Sequence, residues 1–210
     1  MRELVYLSER KLRQFRAPRK RRFSIREIGI PGVGQVGIEP QAVSHLDAVV
    51  EHLDGMARWY EEKVPVGGWV HFEARLGQCM VDSGESGLRV VLFAEPPGHA
   101  GPPRLVLHGA PDHLLGRVTE PAGGRDHVPA SESWMVRPLI WHLATELDGK
   151  TSHGDYHSDL PVLNEFLDQH VDPHTAAWMA GYARVTVDTG DLPLVVASPL
   201  FVEYVSAPDQ

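Results

Sequence analysis

Eight cationic side chains, Arg10, Lys11, Arg13, Arg16, Arg19, Lys20, Arg21 and Arg22, crowd into thirteen positions near the amino terminus. Guanidinium groups fork onto phosphate or carboxylate oxygens in pairs, so an Arg-rich run suits a defined anion better than it suits mere solvation. Residues 1–27 hold ten Lys and Arg against three Asp and Glu, whereas residues 28–210 hold ten against twenty-five. This segregation points to an anionic partner, or to an acidic surface on which the segment docks. The acidic remainder would repel a long polyanion, and only Phe15 and Phe23 stand nearby as stacking aromatics. A small phosphorylated molecule therefore fits better than nucleic acid. The candidate ligand-binding residues are Arg13, Arg16, Arg19, Lys20, Arg21 and Arg22.

A second set of chemistry-bearing residues lies between His142 and His174. His142 and Glu146 are four apart on an expected helix, and Asp168, His170, Asp172 and His174 follow further on. On an expected polar loop between them, His153, Asp155 and His157 alternate with small residues. Imidazole with carboxylate suits Zn²⁺, Mn²⁺ or Fe²⁺, and such a metal could activate water for a hydrolase or lyase. No H-E-x-x-H signature accompanies them. Gly32, Gly34 and Gly37 make a literal G-x-G-x-x-G, but Pro31 intervenes and the next strand-borne acid, Glu73, lies far beyond the ribose-binding distance, so a plain glycine-rich connection is expected. Cys79 shares an expected hairpin with His71, and a lone strand cysteine reads first as a small buried hydrophobe.

The elements that must position these residues follow from apolar spacing. Leu4–Ser8 reads as a strand, residues 9–16 as a helical turn or two, and Phe23–Ile30 as an irregular strand. Val43, Leu46, Val50, Leu53, Ala57 and Tyr60 make a helical stripe behind Pro40. Val70–Leu76, Leu88–Phe93 and Arg104–Leu107 predict three strands of an antiparallel meander, and Asp112–Leu115 at most one helical turn. A helix is expected from Ser131 or Ser133 to Leu147, a turn-rich stretch over Asp148–Leu160, and short helices over Val162–Gln169 and His174–Ala180. Ala183, Val185 and Val187 alternate, Thr189-Gly190-Asp191 turns, and Leu194–Val205 is an apolar strand in which Pro199 must sit at a bulge or edge. The first and last strands are expected to be neighbours. Strands and helices are partly segregated, which predicts a single α+β domain over residues 1–210: a central, mostly antiparallel sheet with helices packed on it and a basic segment at about 9–22.

With 42% hydrophobic and 23% charged residues, the chain is expected to fold without a disulfide, and its only cysteine excludes an intrachain one. No apolar run approaches a membrane span, and Arg21-Arg22-Phe23 leads into no apolar export stretch, so no membrane partner and a cytoplasmic location are expected. The run Leu4-Val5-Tyr6-Leu7-Ser8 with Lys11-Leu12, and the closing Ser198-Pro199-Leu200-Phe201-Val202-Glu203-Tyr204, resemble the two ends of an uncharacterised, mostly actinobacterial protein family, with a weaker match over Leu105–Gly116. The resemblance implies a shared fold and brings no activity, cofactor or catalytic residue. From the residues themselves, the leading reading is a binding domain for an anionic, possibly phosphorylated small molecule. The alternatives are a metal-assisted hydrolase or lyase, and a module that docks its basic segment on a partner or a second copy in a homo-oligomer.

Overall fold

The computed structural model describes residues 3–15, 40–82, 89–98, 103–115 and 156–208. Their order is β1 (Glu3–Leu7), α1 (Glu9–Gln14), α2 (Pro40–Asp54), β2 (Arg58–Trp59), β3 (Trp69–Asp82), β4 (Arg89–Ala94), β5 (Arg104–Gly109), a 3₁₀ turn (Pro111–His113), α3 (Tyr156–His170), β6 (Ala177–Val185) and β7 (Leu194–Tyr204). The seven strands belong to one sheet that is mostly antiparallel.

Five of these strands close on themselves. β3 pairs β4, β4 pairs β5, β5 pairs β7, β7 pairs β6, and β6 returns to β3. Closure depends on the length of β3: Trp69–Leu76 bonds β6, and Gly77–Asp82 bonds β4. The β5–β7 contact is parallel, Arg104 opposite Leu194 to Leu107 opposite Ala197. Closing the ring removes the free edges that an open sheet would leave. β1 is added antiparallel to the far end of β7, Leu4 opposite Glu203 and Leu7 opposite Phe201, which places the first and last strands side by side.

Alternation along the strands sorts the apolar side chains onto two surfaces. Val70, Phe72, Ala74 and Leu76 of β3 meet Val91 and Phe93 of β4 and Leu105 and Leu107 of β5 inside the ring. The intervening residues Val90, Leu92, Val106 and Val196 face outward and are covered by Leu160, Leu163 and Leu167 of α3. On another side, Leu12 of α1 and Leu46, Val49 and Leu53 of α2 bury Leu7, Leu200 and Phe201. Two strips of helix thus flank the barrel.

Three expectations are corrected. The α2 stripe does not run on to Tyr60: the helix ends at Asp54, and Tyr60 is buried with the barrel interior instead. His174–Ala180 is not a helix, because Ala177–Val185 forms β6 between β3 and β7. Ala and Met are good helix formers, and pairing with two flanking strands outweighs that local preference. Gly181 marks the place, since a Cβ there would meet the Phe201 carbonyl oxygen and the Phe72 ring. Asp148–Leu160 is not turn throughout, because α3 begins at Tyr156. Pro199 lies at a register shift, where Ala183 faces Pro199 and Tyr182 faces Phe201, leaving Leu200 as the extra residue of a bulge. The expected strand at Phe23–Ile30, the glycine run at 32–37 and the helix at 131–147 lie outside the described residues.

Candidate functional site

Of the expected anion ligands, Arg13 stands on α1 and pairs with Glu9 one turn earlier at 2.8 Å, both side chains being largely exposed. Arg16, Arg19, Lys20, Arg21 and Arg22 lie outside the described residues, as do His153 and Asp155. His157 falls in the first turn of α3. The later members of the histidine region do not converge. The His170 ring stacks on Phe166 with centroids 4.1 Å apart and bonds its carbonyl, and Asp172 accepts from the His174 amide in a local turn. Among the described residues, no three His, Cys, Asp or Glu side chains come together. Cys79 is packed against the α3-covered core, and burial pushes its thiol up to about 11, which makes it a poor nucleophile at neutral pH. His71 is eight residues away along the same strand, roughly 26 Å at the ordinary rise.

Two buried cations organise the polar interior. The first is Lys11. Ser8 lies between β1 and α1, and its amide donates to the Leu200 carbonyl at 2.8 Å, so α1 is laid across β7. Lys11 is then drawn inward. Its Nζ donates to Ser198 Oγ at 2.5 Å and to the Pro199 carbonyl at 2.8 Å, uncharged acceptors at the bulge. Burial, with Arg184 and Arg10 nearby, lowers its pKa to about 7. The opening segment that carries Lys11 and the closing segment that carries Ser198 and Pro199 meet at this bond. Close by, the Tyr6 hydroxyl and His113 Nδ1 are 3.0 Å apart, and burial holds the His113 pKa below its usual value.

The second is Arg104, the first residue of β5 and only 7% exposed. Its Nε donates to the Glu95 carbonyl at 2.9 Å. Its Nη1 reaches α3, donating to Asn164 Oδ1 at 2.6 Å and to Asp168 Oδ1 at 2.7 Å. Its Nη2 is buried and has no hydrogen-bond partner among the described residues. The Asp168 side chain is 47% exposed, so a buried cation is met by a half-exposed acid. On the inner side, the Glu95 carboxylate accepts from the Leu105 amide at 2.7 Å and from the Tyr60 hydroxyl at 3.3 Å. Burial raises the Glu95 pKa against the pull of those bonds and of Arg104.

Arg104 borders a cavity of about 410 Å³ between α3, the β4–β5 connection and the β6–β7 turn. The walls are apolar or rigid: Pro96, Pro97, Leu160, Pro161, Leu192 and Pro193. Among the described residues, Arg104, Asn164 and Asp168 are its side chains with polar groups. Across Leu192 and Leu194 lies a second cavity of about 640 Å³, with Val64, Val187 and Val195 among its walls and Glu61, Glu62, Lys63 and Asp188 also lining it. Neither cavity was legible as a site from spacing, since Arg104, Asn164 and Leu192 come from three distant segments. The available signal was an arginine heading an otherwise apolar strand, Arg104-Leu105-Val106-Leu107.

No protein-family model, curated protein or solved structure matches this chain.

Proposed function

We propose that this protein binds an anionic small molecule, with the Arg104 cavity as the seat. The observation that carries the reading is a guanidinium fixed by three neighbours, bordering a 410 Å³ space, with one nitrogen lacking an acceptor among the described residues. Buried donors are normally satisfied, so an unmatched one beside a cavity favours an acceptor supplied from outside. The volume lies in the range of small-molecule sites, and barrel mouths are a common place for them. The charge segregation of the sequence supports the same ligand sign, with the basic segment a source of further attraction.

A five-stranded barrel with a helix between its third and fourth strands is similar in architecture to the oligonucleotide- and oligosaccharide-binding barrels, which bind on the face of their second and third strands. Here the corresponding strands are β4 and β5, and α3 covers their outer face. That cover favours a compact ligand over an extended strand of nucleic acid, and architecture alone assigns no function.

Calorimetric titration with phosphate, nucleotides and organic carboxylates tests the reading. Binding of any of these that is lost on Arg104→Gln, in a protein still folded by circular dichroism, supports it. A complete absence of binding across the panel at low ionic strength refutes it.

A further inference from the structure

The ligand class can be narrowed from the chemistry of the Arg104 cavity, and this step rests on the anion-binding reading. We infer that the cavity takes a monocarboxylate with an apolar body, its carboxylate displacing Asp168 and gripping Nη1 and Nη2 of Arg104 together.

Asp168 uses one oxygen on one nitrogen, Oδ1 on Nη1 at 2.7 Å, and leaves Nη2 unmatched. A carboxylate approaching along the Nη1–Nη2 edge satisfies both nitrogens with its two oxygens, the stronger paired geometry. Asp168 is suited to yield. Its side chain is half exposed, so water solvates it when it swings away, whereas Arg104 at 8% side-chain exposure stays anchored through Nε to Glu95. Nη2 is shut off from solvent, so in this proposal a ligand reaches it as Asp168, bonded to the neighbouring Nη1, moves aside. The resident acid thus acts as a placeholder.

Two further features limit the ligand to one negative charge. Among the described residues the first cavity is lined by a single cation, and the adjoining larger cavity by Glu61, Glu62 and Asp188 against Lys63. A triphosphate would have to leave its remaining charge among prolines and leucines or push it toward those acids. Both are unfavourable, because an unpaired charge in an apolar setting costs several kcal/mol. The apolar walls reward a hydrocarbon or aromatic body instead, and the Asn164 amide offers one polar contact beside the head group.

The experiment is a titration of the full chain with benzoate and octanoate, with benzamide, inorganic phosphate and ATP as comparators. Wild type, Asp168→Asn and Leu192→Trp are compared after thermal melting shows each to be folded. Leu192 is 37% exposed, so a larger side chain there narrows the cavity without entering the core. The expected result is carboxylate binding at least tenfold tighter than benzamide, strengthened several-fold by Asp168→Asn and weakened at least tenfold by Leu192→Trp. Equal binding of benzoate and benzamide overturns the inference, as does Asp168→Asn leaving carboxylate affinity unchanged or lowering it. Preference for phosphate or ATP overturns it while sparing the broader anion-binding reading. No binding of any anion overturns both.

Discussion

At the scale of single residues, the two buried cations make opposite compromises. Arg104 is met by the Asp168 carboxylate and three uncharged oxygen acceptors. Lys11 has only a hydroxyl and a carbonyl, with Arg184 and Arg10 as its charged neighbours, and its proton is correspondingly loose. The unfolded chain returns that lysine to about 10.5, so between about 7 and 10.5 the unfolded state binds more protons than the folded one. Stability contributed by Lys11 is therefore absent at low pH and gained as pH rises through 7, at up to about 1.4 kcal/mol per pH unit. Urea unfolding of wild type and Lys11→Met should show a midpoint that climbs more steeply for wild type from pH 7 to pH 9. Parallel curves would mean that the lysine stays charged. A second residue-scale expectation concerns Gly181. Gly181→Ala should cost about 1–3 kcal/mol or more by thermal denaturation, because the added methyl meets backbone of β7, which cannot turn aside as a side chain can.

Among the elements, α3 has two duties. Leu160, Leu163 and Leu167 seal the outer face of β4, β5 and β7, while Asn164 and Asp168 on the same helix hold Arg104. Leu163→Ala should destabilise the protein by about 2–5 kcal/mol by denaturant titration, whereas Asp168→Asn, on a half-exposed acid, should cost under about 1 kcal/mol. If the two losses were alike, the division of labour along the helix would be wrong. The legibility of the sequence tracks the same distinction. β3, β4, β5 and β7 were readable because each carries its own apolar pattern between glycines and prolines. α3 was half readable, because its first turn is polar. β6 was misjudged because Ala177-Trp178-Met179-Ala180 has no clean alternation, and its strand state is imposed by β3 and β7, more than a hundred positions upstream and about twenty downstream. The Arg104 cavity depends on that kind of long-range meeting, and no local pattern announces it.

At the scale of the molecule, β1 and α1 tie the amino-terminal end to the last strand. The Ser8 amide bonds Leu200, Lys11 bonds Ser198 and Pro199, and Leu12 packs beside Leu46 and Leu200. Removing residues 1–15 should bare the β7 edge and the apolar strip beneath α1, giving a protein that binds a hydrophobic dye and self-associates on size exclusion. A monomeric, dye-silent truncation would show the strap to be dispensable. Among the described residues no helix is long and apolar enough to cross a membrane.

The placement of β7 has a consequence for biosynthesis. It touches β1, β5 and β6, yet it is the last of the seven strands to leave the ribosome. Until it emerges, three partners wait with unmated amides and carbonyls, one of them since the opening residues. The nascent chain must hold those edges apart until Leu194–Tyr204 is made, which makes the stretch before Leu194 the interval in which a holding chaperone has most to protect.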